Sequence, residues 1–161
     1  MKTILRLSWV LALPLCFVLS FSACDKDDDK DSNTGNSACA GGVAFCMEYG
    51  STNKSGAATL SQPLGGRYRV YWEKTAGGSF EQVELDIYGS ATGTYSIDTT
   101  GATGTAVFEY FSTTGGANKG VSGTLTVSQF DPNGNGLTGT FTVGTADGTL
   151  VKNGHFVNVT P

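Results

Sequence analysis

Histidine is almost absent from this sequence, since His155 is the only one among 161 residues. Catalytic triads and most zinc sites depend on histidine, so a single copy leaves little material for either chemistry. Glu84 and Asp86 share the expected solvent face of one strand, which is an ordinary place for carboxylates rather than a catalytic pair. We therefore predict that the chain is not an enzyme and needs no cofactor.

Basic residues are also scarce, with 10 Lys and Arg against 14 Asp and Glu, for a formal charge of −4. Nucleic-acid binding needs a basic surface, so this class of partner is excluded. After residue 24 no apolar run approaches the length of about 20 residues that a membrane-spanning helix requires. Periodic helical patterns of more than two turns are missing from the same region.

What remains is typical of β-structure. All 23 glycines lie after position 34, and they separate short runs rich in Thr, Val, Phe and Tyr. Residues 67–73 alternate, with Val70 and Trp72 on one face, and residues 83–87 alternate in the same way after a turn at 76–78. These two segments predict a hairpin with one buried face.

Further strands are predicted along the whole domain, separated by turn residues, while 51–66 is mostly loop-like. They cover residues 43–49, 57–60, 93–98, 105–112, 121–129, 137–144 and 150–159. Such spacing predicts an all-β fold, a single antiparallel β-sandwich of about eight or nine strands. A lipocalin-like β-barrel is the alternative.

The first 23 residues form a separate unit. Lys2 and Arg6 precede an apolar stretch, and small Ser22 and Ala23 stand directly before Cys24. This pattern resembles bacterial lipoprotein signal peptides, in which the cysteine becomes the lipidated first residue of the mature protein. The resemblance implies cleavage after residue 23 and anchoring in the outer membrane by palmitate-type chains on Cys24. Losing Lys2 and Arg6 would lower the formal charge from −4 to −6.

An acidic segment follows the cysteine. Lys26, Asp27, Asp28 and Asp29 begin it, and residues 24–38 as a whole predict a flexible tether. A lysine followed by acids at this place resembles the export signal of surface lipoproteins in one group of Gram-negative bacteria. That resemblance implies display on the cell exterior, with the β domain covering residues 39–161.

Two cysteines remain in the domain, Cys39 and Cys46. An exported protein meets an oxidising compartment, which makes a disulfide between them plausible. They cannot pair within one straight strand, but Gly41 and Gly42 allow a reversal. Two free thiols, one of them packed as a small apolar residue, are the alternative.

The last forty residues carry a second resemblance. GTLTV at 123–127, GTF at 139–141 and NGHF at 153–156 resemble the C-terminal signature of an uncharacterised bacterial surface-lipoprotein β-domain family. The resemblance implies a β fold and an envelope location, and it implies no activity.

Two sets of side chains are candidate binding residues. Tyr71, Tyr88 and Arg69 fall on the polar side of the predicted hairpin. We expect the two tyrosines to lie across from each other there, so that their ring faces form a platform for a ligand. Cross-strand packing alone also accounts for tyrosines on a sheet.

The second set is Asp131, Asn133 and Asn135, whose spacing matches the start of a calcium loop. Thr142 stands where such a loop needs a glutamate, so a hairpin loop is favoured and no metal is expected.

We predict a small binding or accessory module for a glycan or an envelope protein. The alternative is a structural envelope or adhesin-type subunit whose sheet edges pair with neighbours.

Overall fold

Alternating apolar and polar residues give strands along nearly the whole domain. The computed structural model describes residues 42–63 and 65–161, and these residues contain no helix. The ten β-strands, numbered in chain order, are β1 (Phe45–Tyr49), β2 (Thr52–Gly56), β3 (Ala58–Ser61), β4 (Tyr68–Ala76), β5 (Ser79–Ile87), β6 (Gly93–Ile97), β7 (Thr105–Ser112), β8 (Gly116–Asp131), β9 (Gly136–Thr145) and β10 (Leu150–Val159).

All ten strands belong to one sheet, in the order β2-β1-β10-β9-β8-β6-β7-β5-β4-β3. Every neighbouring pair is antiparallel except β6 and β7, which are parallel over two residue pairs. β6 lies between β7 and β8 because these two strands pair directly only near their shared turn, at Glu109–Ser112 and Gly116–Lys119. Further from the turn they separate, and β6 pairs with both.

The two ends of the sheet come together. β2 and β3 are the terminal strands of the sheet, yet only Ala57 separates them in the chain. β2 pairs with β1, whereas β3 pairs with β4, and the amide of Leu60 also donates to the carbonyl of Thr160 at 2.8 Å, just after β10. The sheet is therefore curled nearly into a barrel.

The core fills the inside of this curled sheet. Its largest fully buried side chains include Trp72, Phe45, Phe108 and Phe156, contributed by β4, β1, β7 and β10. Phe45 stacks on Trp72 with ring centroids 5.6 Å apart, a contact worth about 0.5–1.5 kcal/mol beyond the burial of its area. Side chains that alternate with these point outward, and they form the polar outer surface.

The predicted all-β class is confirmed, and so is the hairpin of β4 and β5. One local prediction was wrong, because residues 52–56 form β2 instead of a loop. The inward positions of β2 are Lys54 and Gly56, opposite the core residues Met47 and Phe45 of β1. Neither is a typical core residue, so the strand carries no alternating apolar signal. The predicted features of residues 1–41 lie outside the described part of the chain.

Candidate functional site

The predicted binding residues lie on the outer face of β4 and β5. Val70 and Trp72 are buried in the core, so Arg69 and Tyr71 point to the opposite side of the sheet. Arg69 pairs with Asp86 and Tyr71 pairs with Glu84 across the hairpin. We call this surface the β4–β5 face. It consists of Arg67, Arg69, Tyr71, Glu73, Gln82, Glu84, Asp86 and Tyr88.

Arg69 is the centre of an ion-pair network. Its Nε and one terminal nitrogen donate to the two carboxylate oxygens of Asp86 at 2.6 and 2.9 Å, and its other terminal nitrogen lies 2.8 Å from Glu84. The hydrogen bonds to Asp86 raise the pKa of Arg69, although partial burial works against them. Asp86 is only 6% exposed, and a carboxylate at this depth needs such a bidentate cation.

Arg67 approaches Asp86 from the other side. Its Nε lies 3.4 Å from a carboxylate oxygen, a distance and direction that give an ion pair without a hydrogen bond. A terminal nitrogen of Arg67 donates to the hydroxyl of Tyr88 at 3.1 Å. The buried carboxylate therefore organises both arginines, and through Arg67 it also positions Tyr88.

The ring of Tyr71 is half-buried, and its hydroxyl is fixed. This hydroxyl donates to a carboxylate oxygen of Glu73 at 2.6 Å, and the bond raises the pKa of Tyr71 to about 12. On the neighbouring strand the amide of Gln82 donates to Glu84 at 2.6 Å. The polar groups around the Tyr71 ring are thus held by one another before any ligand arrives.

Tyr88 occupies a different setting. It comes directly after Ile87, the last residue of β5 and the partner of Tyr68, so it stands four residues beyond Glu84, the partner of Tyr71. At about 3.3 Å per residue this offset is roughly 13 Å, and the two tyrosines do not face each other as expected. Gly101, in the loop between β6 and β7, lies against the Tyr88 ring, because a Cβ added to Gly101 would come within 2.7 Å of that ring. This loop therefore covers part of Tyr88. Tyr71 and Tyr88 are both half-buried, and they do not form one platform.

Sequence reasoning gave a binding role to three members of the β4–β5 face, Arg69, Tyr71 and Tyr88. It also placed Glu84 and Asp86 on the solvent side of their strand without a binding role, although Asp86 proves to be only 6% exposed. Arg67 and Glu73 stand two residues from Arg69 and Tyr71, and Glu84 and Asp86 stand opposite Tyr71 and Arg69, so strand periodicity and pairing could have added them to the site. β7 extends the surface, since Glu109 pairs with Glu84 and lies 3.9 Å from Lys119 of β8. The half-buried side chains of β4 and β5 are therefore bordered by a more exposed charged rim, which consists of Glu109 and Lys119.

A second polar cluster lies inside one end of the curled sheet. Lys54 contacts Glu81 at 2.5 Å, and the hydroxyl of Tyr110 donates to the same carboxylate oxygen at 3.0 Å. The ring of Tyr49 stacks on Tyr110 at 4.1 Å, and Asn118 donates to the hydroxyl of Tyr49 at 2.6 Å. Although burial opposes it, the bond to Glu81 raises the pKa of Lys54. The contact with Glu81 therefore favours the charged form of Lys54.

The candidate calcium loop uses its carboxylate internally. Asp131 accepts hydrogen bonds from the backbone amide and the side-chain amide of Asn135, at 2.8 and 3.1 Å. Asn133 is exposed in the turn. Within residues 42–63 and 65–161 no three His, Cys, Asp or Glu side chains are grouped so as to hold a metal ion. The hydrogen bonds fit the hairpin-loop alternative.

Cys46 and His155 are register partners on β1 and β10. Cys46 is fully buried and disulfide-bonded, but Cys39 lies outside the described residues, so the predicted pairing stays a prediction. His155 is half-buried, and its other strand neighbour is Thr140. Nothing in this arrangement supplies the carboxylate and nucleophile that a catalytic histidine requires.

The described residues also form a shallow groove of about 210 Å³ elsewhere on the outer surface. It lies on β8, β9 and β10, where Gly123 and Gly144 leave space beside Thr142, Leu150 and Lys152. This groove does not include any residue of the β4–β5 face. The groove is lined by neither an aromatic ring nor a carboxylate. We therefore regard the β4–β5 face as the stronger candidate for a binding site.

Comparisons with known proteins add no assignment. No protein-family description matches the chain, no curated protein is significantly similar to it, and no solved structure matches its fold. In the described part of the chain there is no helix long and apolar enough to cross a membrane.

Proposed function

We propose that this protein is an outer-membrane lipoprotein, anchored through Cys24 and displayed on the cell surface, whose β domain binds a glycan. The N-terminal pattern supports the anchor, because a basic start, an apolar stretch and small residues precede the cysteine. Lys26 and the following aspartates support export to the exterior. The GTLTV, GTF and NGHF segments support membership of the surface-lipoprotein β-domain group that they resemble.

The β4–β5 face carries the binding proposal. The single observation behind it is the half-exposed Tyr71 ring beside groups that are already hydrogen-bonded in place. Sugars present apolar C–H faces and polar hydroxyl edges, and a tyrosine ring flanked by carboxylates and an amide complements both. Because Arg69 and Asp86 join β4 to β5, the surface is preorganised, which lowers the entropic cost of binding.

A structural role based on edge pairing is the second candidate. β3 pairs with β4 only over Arg69–Trp72, so β4 continues to Ala76 beyond this partner. This stretch is short and carries Glu73 and Lys74, and charged short edges are typical of strands that avoid pairing with other chains. The same edge therefore favours a binding module over a polymerising subunit.

Metabolic labelling tests the anchor. The full-length protein should incorporate labelled palmitate, and Cys24→Ala should lose the label, while Cys46→Ala should keep it because Cys46 lies in the domain. Protease treatment of intact cells should degrade the wild-type domain. Replacing Lys26, Asp27, Asp28 and Asp29 by neutral residues should protect it. An unlabelled wild-type protein would overturn the anchor.

A glycan microarray tests the binding site, using the full-length protein in detergent micelles. Tyr71→Ala should abolish binding, whereas Tyr71→Phe should retain most of it because the ring remains. Val157→Ala is a matched control, since Val157 is an exposed residue on β10, away from the β4–β5 face. Equal binding by the wild type and Tyr71→Ala would remove this site.

A further inference from the structure

The charges of the β4–β5 face are unevenly accessible. Both arginines turn toward the sheet, where Asp86 holds them, and Arg69 also contacts Glu84. Three nitrogens of Arg69 are thus already used by carboxylates. An anionic ligand that bound Arg69 would therefore have to displace one of its contacts with Asp86 or Glu84.

The groups that remain open to solvent are mostly acceptors. Glu73 is exposed, and the Glu109 side chain is 36% exposed on the adjoining strand. Lys119 is the accessible cation at this rim, but it lies 3.9 Å from Glu109 and so shares its charge with that carboxylate. A ligand on the Tyr71 ring would therefore meet carboxylate oxygens, which accept hydrogen bonds and repel negative charge.

We infer that the ligand of the β4–β5 face is a glycan without negative charge, whose hydroxyl groups donate to the carboxylates around Tyr71. This inference rests on the proposed glycan-binding function and adds the chemical class of the sugar. Neutral hexoses and pentoses belong to the class. Sulfated sugars, uronic acids and phosphorylated sugars are excluded by the same carboxylates.

Calorimetry on matched ligands tests the inference. The full-length protein in micelles is titrated with cellohexaose, xylohexaose and mannohexaose, each in an unmodified and a sulfated form. At least one unmodified hexasaccharide should bind, and its sulfated form should bind at least about tenfold more weakly, a difference of about 1.4 kcal/mol. Equal or tighter binding of the sulfated form would overturn the inference and leave the proposed function intact. Failure of every hexasaccharide would overturn the proposed function itself.

A charge-neutral variant identifies the cause of the preference. Glu73→Gln combined with Glu109→Gln removes two negative charges while leaving the contacts of Arg69 in place. The ratio of affinities for the unmodified and sulfated forms should fall at least threefold. Glu48→Gln, on β1 and paired in register with Lys152, is the control that should leave the ratio unchanged. An unchanged ratio in the double variant would contradict the inference.

Discussion

The side-chain nitrogen of Lys54 on β2 lies 2.5 Å from a carboxylate oxygen of Glu81 on β5, although these two strands are not neighbours in the sheet. β2 pairs in register with β1, whereas β5 pairs with β4 and β7. The ion pair therefore connects two parts of the sheet that backbone hydrogen bonds do not join. The Tyr110 hydroxyl, which donates to the same oxygen, extends this connection to β7.

Removing this ion pair should destabilise the fold. Lys54→Met leaves a mostly buried Glu81 without its cation, so we expect the free energy of unfolding to fall by about 1–2 kcal/mol. Lys54→Met combined with Glu81→Leu should cost less than the sum of the two single changes, since no charge is left unpaired. Urea denaturation measures each value. Lys119→Met is the control: its pair with Glu109 is exposed, and less than about 0.5 kcal/mol should be lost.

The same cluster predicts how stability depends on pH. Hydrogen bonds from Lys54 and Tyr110 lower the pKa of Glu81 despite the opposing effect of burial, so its contribution is present above pH 4.5 and is lost as the pH falls further. The pKa values of Tyr110 and Lys54 are raised, the first by burial and by Glu81, so their contribution is lost above about pH 10. We expect a stability plateau between these limits.

Urea midpoints measured from pH 3 to 11 give this profile. Glu81→Gln should lower the plateau and flatten the decline on the acid side, because the residue that titrates there is gone. If the variant loses stability at low pH as steeply as the wild type, other carboxylates control acid unfolding, such as Asp98 with its lowered pKa.

Gly123 should be intolerant of any side chain. Its φ is +130°, and a Cβ at this position would collide with the backbone carbonyl oxygen of Thr142 on β9. Gly148 also has a positive φ, +86°, but a Cβ there would meet no atom within 4 Å. Gly123→Ala should therefore cost about 2 kcal/mol more than Gly148→Ala, which isolates the collision from backbone strain. Equal losses in thermal denaturation would contradict the close approach of β8 and β9.

Local patterns in the sequence were sufficient for most strands but not for their arrangement. β7 and β10 begin and end where alternation and turn residues placed them, at Thr105–Ser112 and Leu150–Val159. The insertion of β6 between β7 and β8 depends on how far these strands separate, which no local pattern encodes. Closure of the sheet depends on the consecutive strands β2 and β3 taking different partners, β1 for β2 and β4 for β3. This is a property of the whole sheet and not of a local segment.

The candidate site was predictable to a similar degree. Period-two alternation correctly placed Arg69 and Tyr71 outside, and register in the hairpin follows from its turn. Predicting the offset of Tyr88 from Tyr71 would have required the correct length of the hairpin. Its strands extend to Ala76 and Ser79, beyond the predicted segments. The cluster around Lys54 brings together β2, β5 and β7, so only the three-dimensional structure could show it.

The disulfide of Cys46 gives a last prediction. Cys46 alternates with the core residues Phe45 and Met47 and is itself fully buried. The sequence predicts Cys39 as its partner, and a loop this short should stabilise the domain by about 2–3 kcal/mol in the chain-entropy model. Peptide mapping without reductant should yield a peptide linking Cys39 to Cys46, and Cys39→Ala should lose the same stability as reduction of the wild type. A crosslink from Cys46 to Cys24 would contradict both the pairing and the lipidation of Cys24, and one to Cys16 would contradict the pairing and the removal of residues 1–23.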